Sequence, residues 1–489
     1  MGKYSVPQEI RDMKPSGSMV KVQAQRYYVY EYSSTKVKVY REDGSFSWKT
    51  STKMGKCIGQ ITFEDGFIPN KNALSGDDIT IKEYGSYKAV TSFSESTLRL
   101  LKDVFNAKDA NEIYCVACIF VVNGFTYMKN MNRIYRESYL SELYPDARMG
   151  YEALKNLFHN LGSRGGKIDK FEQGLVDNSS NKIAIDGHVI ACASECNDLS
   201  AFGYKAAKLG SEQVNWMTAY DIETKIPLIN QMFNGADPDK TAVQSLFSRF
   251  DFKDTLFVVD RGFNTDTNKN LMSTNGNSYI VPMVQGRKDY VKVRDGLSFD
   301  KRKNFIYDKD GYSSLIYYNE FEYNGKRYIA YKDTTRASAE RQTYIRKIRS
   351  GKSSYTEEGL AENDIDFGLF IMETSDMKKT PKEIFCDYKS RWKIETFYEY
   401  IDNEMNFNTI YQQDYCGMQG LGFIVQIAGM IYHDLRIVLD EVNLSLRDVI
   451  NELKGIKMSK ERARWMIRNN TKSKREICEK LNLSIPVSV

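Results

Sequence analysis

Two aspartates stand at the edges of short, strongly apolar segments, where a carboxylate needs a partner. Asp186 follows Ile-Ala-Ile and precedes Gly187, and Asp260 ends the run Leu-Phe-Val-Val before Arg261 and Gly262. A charge at the end of a buried strand costs free energy unless hydrogen bonds or an opposite charge compensate it, and a divalent cation is one such compensation. Each glycine lets the chain turn tightly or lets another segment approach. One such aspartate favours a simple turn cap, whereas two on neighbouring strands make a cation site an equal alternative.

A third acidic residue belongs to a polar stripe on a predicted helix. Tyr388, Arg391 and Glu395 are three and four residues apart, so they share one helix face, which Glu399 and Asp402 continue. Such a stripe is usually a solvated surface. The same segment also carries four apolar residues, Phe385, Trp392, Ile394 and Phe397. The pattern therefore predicts a packed helix whose polar stripe lines a cleft.

The elements that must position these residues read as an α/β domain. Three strand candidates span residues 182–192, 213–222 and 226–233, followed by a helix over 239–250 and a strand over 255–260. Three strands, a helix and a further strand is the order of an RNase H-like core. Many α/β proteins share that order, so it is a weak signal by itself.

Composition shifts along the chain predict further regions around this core. We expect a β-rich N-terminal region (1–92), a helical region (93–178), the first part of the core (179–284), a β-rich insertion (285–384), the second part of the core (385–445) and a basic helical C-terminal region (446–489). Asn324-Gly325 between alternating runs predicts a hairpin in the insertion. Residues 420–442 are apolar nearly all round, which predicts a buried core helix.

Composition also excludes several classes of protein. We find no apolar run of about 20 residues that would cross a bilayer. The N-terminus has no apolar h-region of the kind a signal peptide needs, so we expect a cytoplasmic protein. Eight scattered cysteines do not form a disulfide framework. Zinc sites at Cys115/Cys118 or Cys192/Cys196 are the alternative to buried thiols, but three histidines leave few complementary ligands.

The net charge of +5 says little about partners, whereas its distribution says more. Residues 286–305 and 454–475 concentrate Lys and Arg. Such clusters neutralise phosphates and release counterions from nucleic acid. A solvated helix face or surface hairpin explains either cluster alone equally well.

Taken in order, these motifs resemble the bacterial insertion-sequence DDE transposases, whose C-terminal signature reads Tyr-x2-Arg-x3-Glu-x6-Lys. Asp186-Gly187, Asp260-Arg261-Gly262-Phe263 and the set Tyr388, Arg391 and Glu395 match that family in order and context, with a β-rich segment before the last set. The resemblance covers about residues 180–445 with motifs, and the N-terminal part only in general layout. Each aspartate motif is weak alone, and the ordered set is strong.

The resemblance implies a chemistry. Two Mg²⁺ ions about 3.5–4 Å apart activate the attacking oxygen and stabilise the leaving oxygen of a phosphodiester, and Mn²⁺ is an expected substitute. Asp186 would bridge both ions, and Asp260 and Glu395 would bind one each. Tyr388 and Arg391 would contact DNA phosphates, as would Arg261 and Lys393.

The implied partners are double-stranded DNA, as the terminal inverted repeats of an element and as target DNA, and a second copy of the chain in the DNA complex. The implied reaction is cleavage at the ends of the element followed by strand transfer in the bacterial nucleoid. Two alternatives stay open: a metal-dependent nuclease of the same fold without strand transfer, and a non-catalytic DNA-binding descendant.

The sequence departs from the family pattern at two places. The final lysine of the signature falls on Asp402, which reverses the charge, and the phosphate contact there must weaken or pass to Lys393 or Lys389. Asp402 is no fourth ligand of the same metal, because seven helical residues advance about 10 Å. The insertion also has no tryptophan to stack on a flipped base, a role that would fall to one of three tyrosines, Tyr312, Tyr317 or Tyr318.

Overall fold

A computed structural model describes residues 6–40, 45–70, 80–203, 210–309, 311–323, 325–461 and 464–489. The chain forms two units, residues 1–80 with 460–463, and residues 81–459 with 464–489.

The first unit is built on a four-stranded antiparallel sheet in the order β1-β2-β3-β4. Its elements are α1 (Gln8–Asp12), β1 (Ser18–Gln23), β2 (Arg26–Tyr40), β3 (Phe46–Thr62) and β4 (Gly66–Pro69). A small core of Ile10, Val29 and Ile61 lies at its base. The abundance of Val, Tyr and Thr predicts strands here, and the structure has them.

The second unit begins with a short strand and a group of helices. They are β5 (Ile81–Glu83), α2 (Gly85–Phe93), α3 (Glu95–Val104), α4 (Ala107–Asn123), α5 (Met128–Arg136), α6 (Leu140–Leu143), α7 (Tyr151–Ser163) and α8 (Gly166–Asp177). The helices start at Gly85, earlier than the periodicity predicts, because α2 is buried on most of its faces. Cys115 and Cys118 are fully buried within α4, as expected of structural thiols.

The central part of the unit has the strand order predicted from the sequence. Its elements are β6 (Lys182–Cys192), β7 (Gln213–Asp221), β8 (Pro227–Asn234), α9 (Asp239–Arg249), β9 (Leu256–Val259), a 3₁₀ turn (Arg261–Phe263), α10 (Asp266–Leu271) and β10 (Ser278–Pro282). The strands lie in the order β8-β7-β6-β9-β10, with β7 antiparallel to its neighbours and β9 parallel to β6. Helix α9 provides the crossover that parallel pairing of β9 requires. This is an α/β, RNase H-like core.

The insertion extends the same sheet. Its elements are α11 (Lys288–Asp295), β11 (Asn304–Lys309), β12 (Tyr312–Tyr323), β13 (Lys326–Asp333), α12 (Thr334–Arg349), α13 (Glu357–Glu362) and β14 (Leu369–Thr374). The order β11-β12-β13-β14 continues into β10, so one sheet runs through both parts. The predicted hairpin is β12–β13, with Tyr323 opposite Lys326. Gly325 has φ of +72°, as its turn requires, and Asn324 lies outside the described residues.

The chain then returns to the core and ends in a small second sheet. The elements are α14 (Pro381–Ser390), α15 (Lys393–Glu399), a π-helical turn (Tyr400–Glu404), β15 (Thr409–Ile410), α16 (Tyr415–Glu441), α17 (Leu446–Leu453), β16 (Lys457–Glu461), β17 (Arg464–Arg468) and α18 (Lys472–Lys480). The C-terminal region, predicted to be helical, thus also contains two strands. They form because β16 pairs with β5, a distant contact that the local Lys- and Arg-rich pattern does not reveal.

Helix α16 is the central helix of the second unit, as its apolar sequence predicts. Its 27 residues are long and apolar enough to cross a membrane, which corrects the expectation that no such segment exists. Two-thirds of its most apolar window is buried inside the fold. It packs against α7 with backbone almost touching, since a Cβ on Gly420 would lie 2.0 Å from the Phe158 carbonyl oxygen.

Candidate active site

The two predicted aspartates lie side by side where the parallel pairing of β6 with β9 ends, Asp186 within β6 and Asp260 directly after β9. The last paired residues of β6 and β9 are Ile185 and Val259, and Asp186 and Asp260 each come next. Neighbouring strands are about 4.8 Å apart, and residues at matching positions point to the same face of a sheet. Ile185 and Val259 enter the core on one face, so the two carboxyl groups face the other side of the sheet.

The environment of Asp186 makes its carboxyl a weaker acid than an ordinary aspartate, as its raised pKa shows. Burial raises the pKa of its carboxyl from 3.8 to about 6; the Arg391 charge lowers that pKa, and the Glu395 and Asp260 charges raise it. Its carboxylate accepts a hydrogen bond from the backbone N–H of Gly187. Glu395 and Asp260 thus both act electrostatically on Asp186, although the three residues come from distant parts of the sequence.

Arg391 joins the carboxylates. Its Nη1 donates to Oδ2 of Asp186 at 3.3 Å and lies 3.9 Å from Oε1 of Glu395. Burial lowers the pKa of the guanidinium, but the charges of Asp186 and the other acids around it raise it above its usual value. Glu395 lies in the first turn of α15 and keeps 38% of its side chain exposed. The arginine therefore neutralises an acidic cluster that is open to solvent on the Glu395 side.

The sequence predicted that the polar stripe lies on one continuous α-helix, and the structure shows that this helix is interrupted. Helix α14 ends at Ser390, and a tight turn follows, in which the N–H groups of Ile394 and Glu395 bond to carbonyls only three residues back. Helix α15 then widens into the π-helical turn at Tyr400–Glu404. The three-residue hydrogen bonds narrow the helix locally and the π-helical turn widens it. Side chains in this segment therefore take directions that differ from those on a regular α-helix.

The widened turn brings Asp402 to His188. Nε2 of His188 lies 3.0 Å from Oδ1 of Asp402, and because a carboxylate only accepts, Nε2 is the donor. The imidazole stacks on the ring of Tyr398 at 4.6 Å. The Tyr398 hydroxyl donates to the backbone carbonyl of Asp186 at 3.0 Å. A chain of contacts therefore connects the π-helical turn to the strand position of Asp186.

The four predicted DNA contacts have different surroundings. Tyr388 is largely buried near Arg391, and burial raises the pKa of its hydroxyl. Arg261 is exposed on the 3₁₀ turn directly after Asp260. Lys393 donates from Nζ to the carbonyl of Ile222 at 2.8 Å, and burial lowers the pKa of its ammonium. Of the four residues, Arg261 is the one with an exposed, positively charged side chain next to the carboxylates.

The glycines beside the aspartates differ in role. A Cβ on Gly187 would lie 2.5 Å from Oδ1 of Asp239, at the start of α9, so the glycine admits another acidic side chain. Gly262 has open space around its Cα and an ordinary φ, so neither close approach nor backbone conformation requires a glycine there.

Sequence reasoning missed a buried ion-pair network next to the site. Asp387 on α14 accepts from Lys182 and from Lys379, each at 2.7 Å, and Lys182 also pairs with Glu223. The network fastens the start of β6 to α14, and so fixes the strand of Asp186 against the helix that precedes Arg391. The only sign of this network in the local sequence is that Asp387 directly follows apolar residues, where an acidic side chain needs a partner.

The donor set suits a hard divalent cation, since carboxylate oxygens are the ligands that Mg²⁺ prefers. Asp186, Asp260 and Glu395 are the residues that would hold it. In the described part of the chain, no three His, Cys, Asp or Glu side chains stand close enough together to hold one ion. Arg391 instead balances the acidic charge.

Comparisons with known proteins agree with this reading of the core. Residues 177–412, just under half of the chain, match the family described as "Transposase DDE domain", which supports a transposase of the DDE type. No curated protein matches the chain. A solved piggyBac transposase synaptic complex with hairpin DNA is similar at 10% identity, with a TM-score of 0.39, over 76% of this chain and 78% of that one. That likeness is too low to establish a common fold or activity.

Proposed function

We propose that this chain is a DDE transposase that cleaves the ends of its insertion element and transfers them to target DNA in a Mg²⁺-dependent reaction. The observation that carries the proposal is the register of β6 and β9. It sets Asp186 beside Asp260, and Arg391 connects Asp186 with Glu395. The similarity of residues 177–412 to a transposase DDE domain gives independent support.

Each residue has a role in this reaction. Asp186, Asp260 and Glu395 would hold the divalent cations, and bound cations would supply activation of the attacking oxygen and stabilisation of the leaving oxygen. Arg391, released from Asp186, pairs with a phosphate of the scissile strand, which a guanidinium binds well. Tyr388 donates a hydrogen bond to a phosphate, and Arg261 and Lys393 neutralise phosphates nearby.

The remaining parts of the chain are assigned to DNA. We assign the binding of terminal inverted repeats to residues 1–92 and 93–178, assisted by the basic segment 446–489. The reaction centre spans 179–284 and 385–445, and the insertion 285–384 lies against it. Two copies of the chain would hold two DNA ends, in the bacterial cytoplasm, associated with the nucleoid.

The test uses the purified chain, duplexes ending in the sequences that flank its gene, and Mg²⁺ or Mn²⁺. Asp186→Asn, Asp260→Asn and Glu395→Gln should each lower strand cleavage by more than about 100-fold, the upper end of what loss of an outer-shell metal partner costs. Binding of DNA should remain. Asp103→Asn, on an exposed position of α3, is the matched control.

Three outcomes separate the candidates. Cleavage and joining of a pre-cleaved 3′ end support the transposase. Cleavage without joining identifies a nuclease of the same fold. DNA binding without cleavage or joining by the wild type in either metal identifies a non-catalytic DNA-binding protein, and cleavage that survives Asp260→Asn refutes the assigned site.

A further inference from the structure

The strands β2 and β3 continue beyond their sheet as a two-stranded ribbon. β1 pairs with β2 only as far as Glu31, and β4 pairs with β3 only from Gly59 onward. Beyond those points, residues 32–40 and 46–54 pair with each other and with no third strand of the sheet, and we call them the β2–β3 ribbon. Irregular register at Tyr30–Tyr32 marks its base. Nine residues per strand span about 30 Å.

Both faces of the ribbon are open to solvent. Every described residue from 31 to 39 and from 45 to 56 is exposed except Ser47, which is half-buried. The exposed side chains include Trp48 (59%), Phe46 (49%) and Val37 (48%). A two-stranded hairpin is only marginally stable alone, and exposed apolar groups of this size indicate a surface that meets a partner.

The charge of the ribbon favours an anionic partner. Its residues, 32–40 and 46–54, carry four lysines and no Asp or Glu, a net charge of +4. Residues that alternate along a strand point to opposite faces. Lys36 and Lys38 thus lie on one face, and Lys49 and Lys53, which pair with Val37 and Ser33, lie on the other.

Lysines on opposite faces restrict the shape of the partner. A flat anionic surface would contact one face and leave the other lysine pair in water. A second copy of the ribbon would bring like charges together. A groove with a phosphate backbone on each wall meets both faces at once. The major groove of DNA, about 12 Å wide, admits a two-stranded ribbon, and the minor groove, about 6 Å wide, does not.

We propose that the β2–β3 ribbon inserts into the major groove of duplex DNA, with Lys36 and Lys38 against one phosphate wall and Lys49 and Lys53 against the other. The proposal rests on the proposed function in taking DNA as the partner, but it needs no catalytic activity.

The test compares the salt dependence of DNA binding by fluorescence anisotropy. The variants are Lys36→Ala/Lys38→Ala, Lys49→Ala/Lys53→Ala, and the control Lys102→Ala/Lys108→Ala, two exposed lysines on α3 and α4. Each phosphate contact adds about 0.9 to the slope of log affinity against log salt, so each ribbon pair should reduce the slope by about 1.8. Between 50 and 200 mM salt, this corresponds to about a 12-fold smaller loss of affinity than in the wild type.

Each result decides for or against the proposal. Reduced slopes in both ribbon variants, with the control unchanged and guanine N7 methylation blocking binding, support it. Unchanged slopes, or an effect from only one face, refute insertion into a groove. A wild-type dimer formed without DNA that either ribbon variant dissociates identifies a self-association surface instead. If the wild type binds through the ribbon but cleaves no DNA, the proposed function fails and this inference stands.

Discussion

The imidazole of His188 donates to the carboxylate of Asp402 across 3.0 Å, joining the central strand of the core to the π-helical turn. Asp402 occupies the position where the family resemblance expects a lysine. Its partner explains the difference, because the carboxylate serves as an acceptor inside the protein. The pair is half-buried, with 17% and 36% of the two side chains exposed.

Restoring the family lysine should therefore harm the protein. Asp402→Lys removes the acceptor and places an ammonium beside the imidazole, which stacks on the tyrosine that holds the Asp186 backbone. Losing a hydrogen bond to a charged group costs about 1.5–3 kcal/mol. We expect the free energy of unfolding in urea to fall by about that amount and DNA cleavage to slow.

The double variant His188→Gln/Asp402→Lys is the control, because it removes the imidazole that the lysine would face. Its loss of stability should be smaller than the sum of the two single losses. Faster cleavage and tighter DNA binding by Asp402→Lys alone would contradict this role of the pair.

Metal binding should depend on pH through Asp186. Burial raises the pKa of this carboxyl to about 6, and metal binding requires its deprotonated form. The affinity for Mn²⁺, measured by calorimetry, should be constant above pH 6 and fall by about tenfold per unit below it. The Arg391 charge lowers the pKa of Asp186, so Arg391→Gln should move the break to higher pH. A break near pH 4, or a downward shift in Arg391→Gln, would rule this out; Arg133→Gln, on the exposed side of α5, is the control.

His433 on α16 should limit stability in acid. Burial, with the charges of Lys225 and Arg436, lowers the pKa of its imidazole from 6.5 to about 4. The unfolded chain binds this proton between pH 6.5 and 4 and the folded chain does not, so stability falls as pH falls through that range. The loss between pH 7 and 4.5 is up to about 2.5 kcal/mol.

His433→Gln should reduce that loss, as urea unfolding at pH 7 and pH 4.5 would show. The same substitution at His159, whose side chain is 55% exposed, provides the comparison. An identical pH dependence in His433→Gln and the wild type would exclude His433 as the cause.

The contact between α7 and α16 should not tolerate a methyl group. A Cβ on Gly420 would lie 2.0 Å from the backbone oxygen of Phe158, so the two helices must separate. Gly420→Ala should lower the free energy of unfolding by about 3 kcal/mol, although alanine favours a helix. Gly174→Ala, on an exposed position of α8 with open space around its Cα, should instead raise it by up to about 1 kcal/mol. Equal effects at both glycines would contradict the close approach.

Local patterns predicted the strand order of the core and the places of Asp186 and Asp260, because short apolar runs ending in an acid are visible in the sequence. They also predicted the β12–β13 hairpin and the buried α16. They could not predict the break after Ser390 or the π-helical turn. In that segment Phe397, Tyr398, Tyr400 and Ile401 are all buried, and a regular helix with 100° between residues also places these four positions on one side. The apolar pattern is therefore that of an ordinary helix and carries no local sign of the π-helical turn.

The pairing of His188 with Asp402 and of Asp387 with two lysines also depends on distant segments meeting. The sequence placed a histidine near Asp186 but offered no partner 214 residues away. Likewise, β16 forms a strand because it pairs with β5. The local amino-acid preferences of residues 457–461 do not indicate this pairing.

The shared sheet sets a limit on how such a protein can be altered. Because β14 bonds to β10, excising residues 285–384 would strip β10 of a neighbour and leave a new open edge, where other chains can add as strands. A replacement segment would need a strand that enters antiparallel with Met372 opposite Pro282. Chimeras should therefore fold only when their junctions preserve this register, and variation in length is confined to the turns that lie further out.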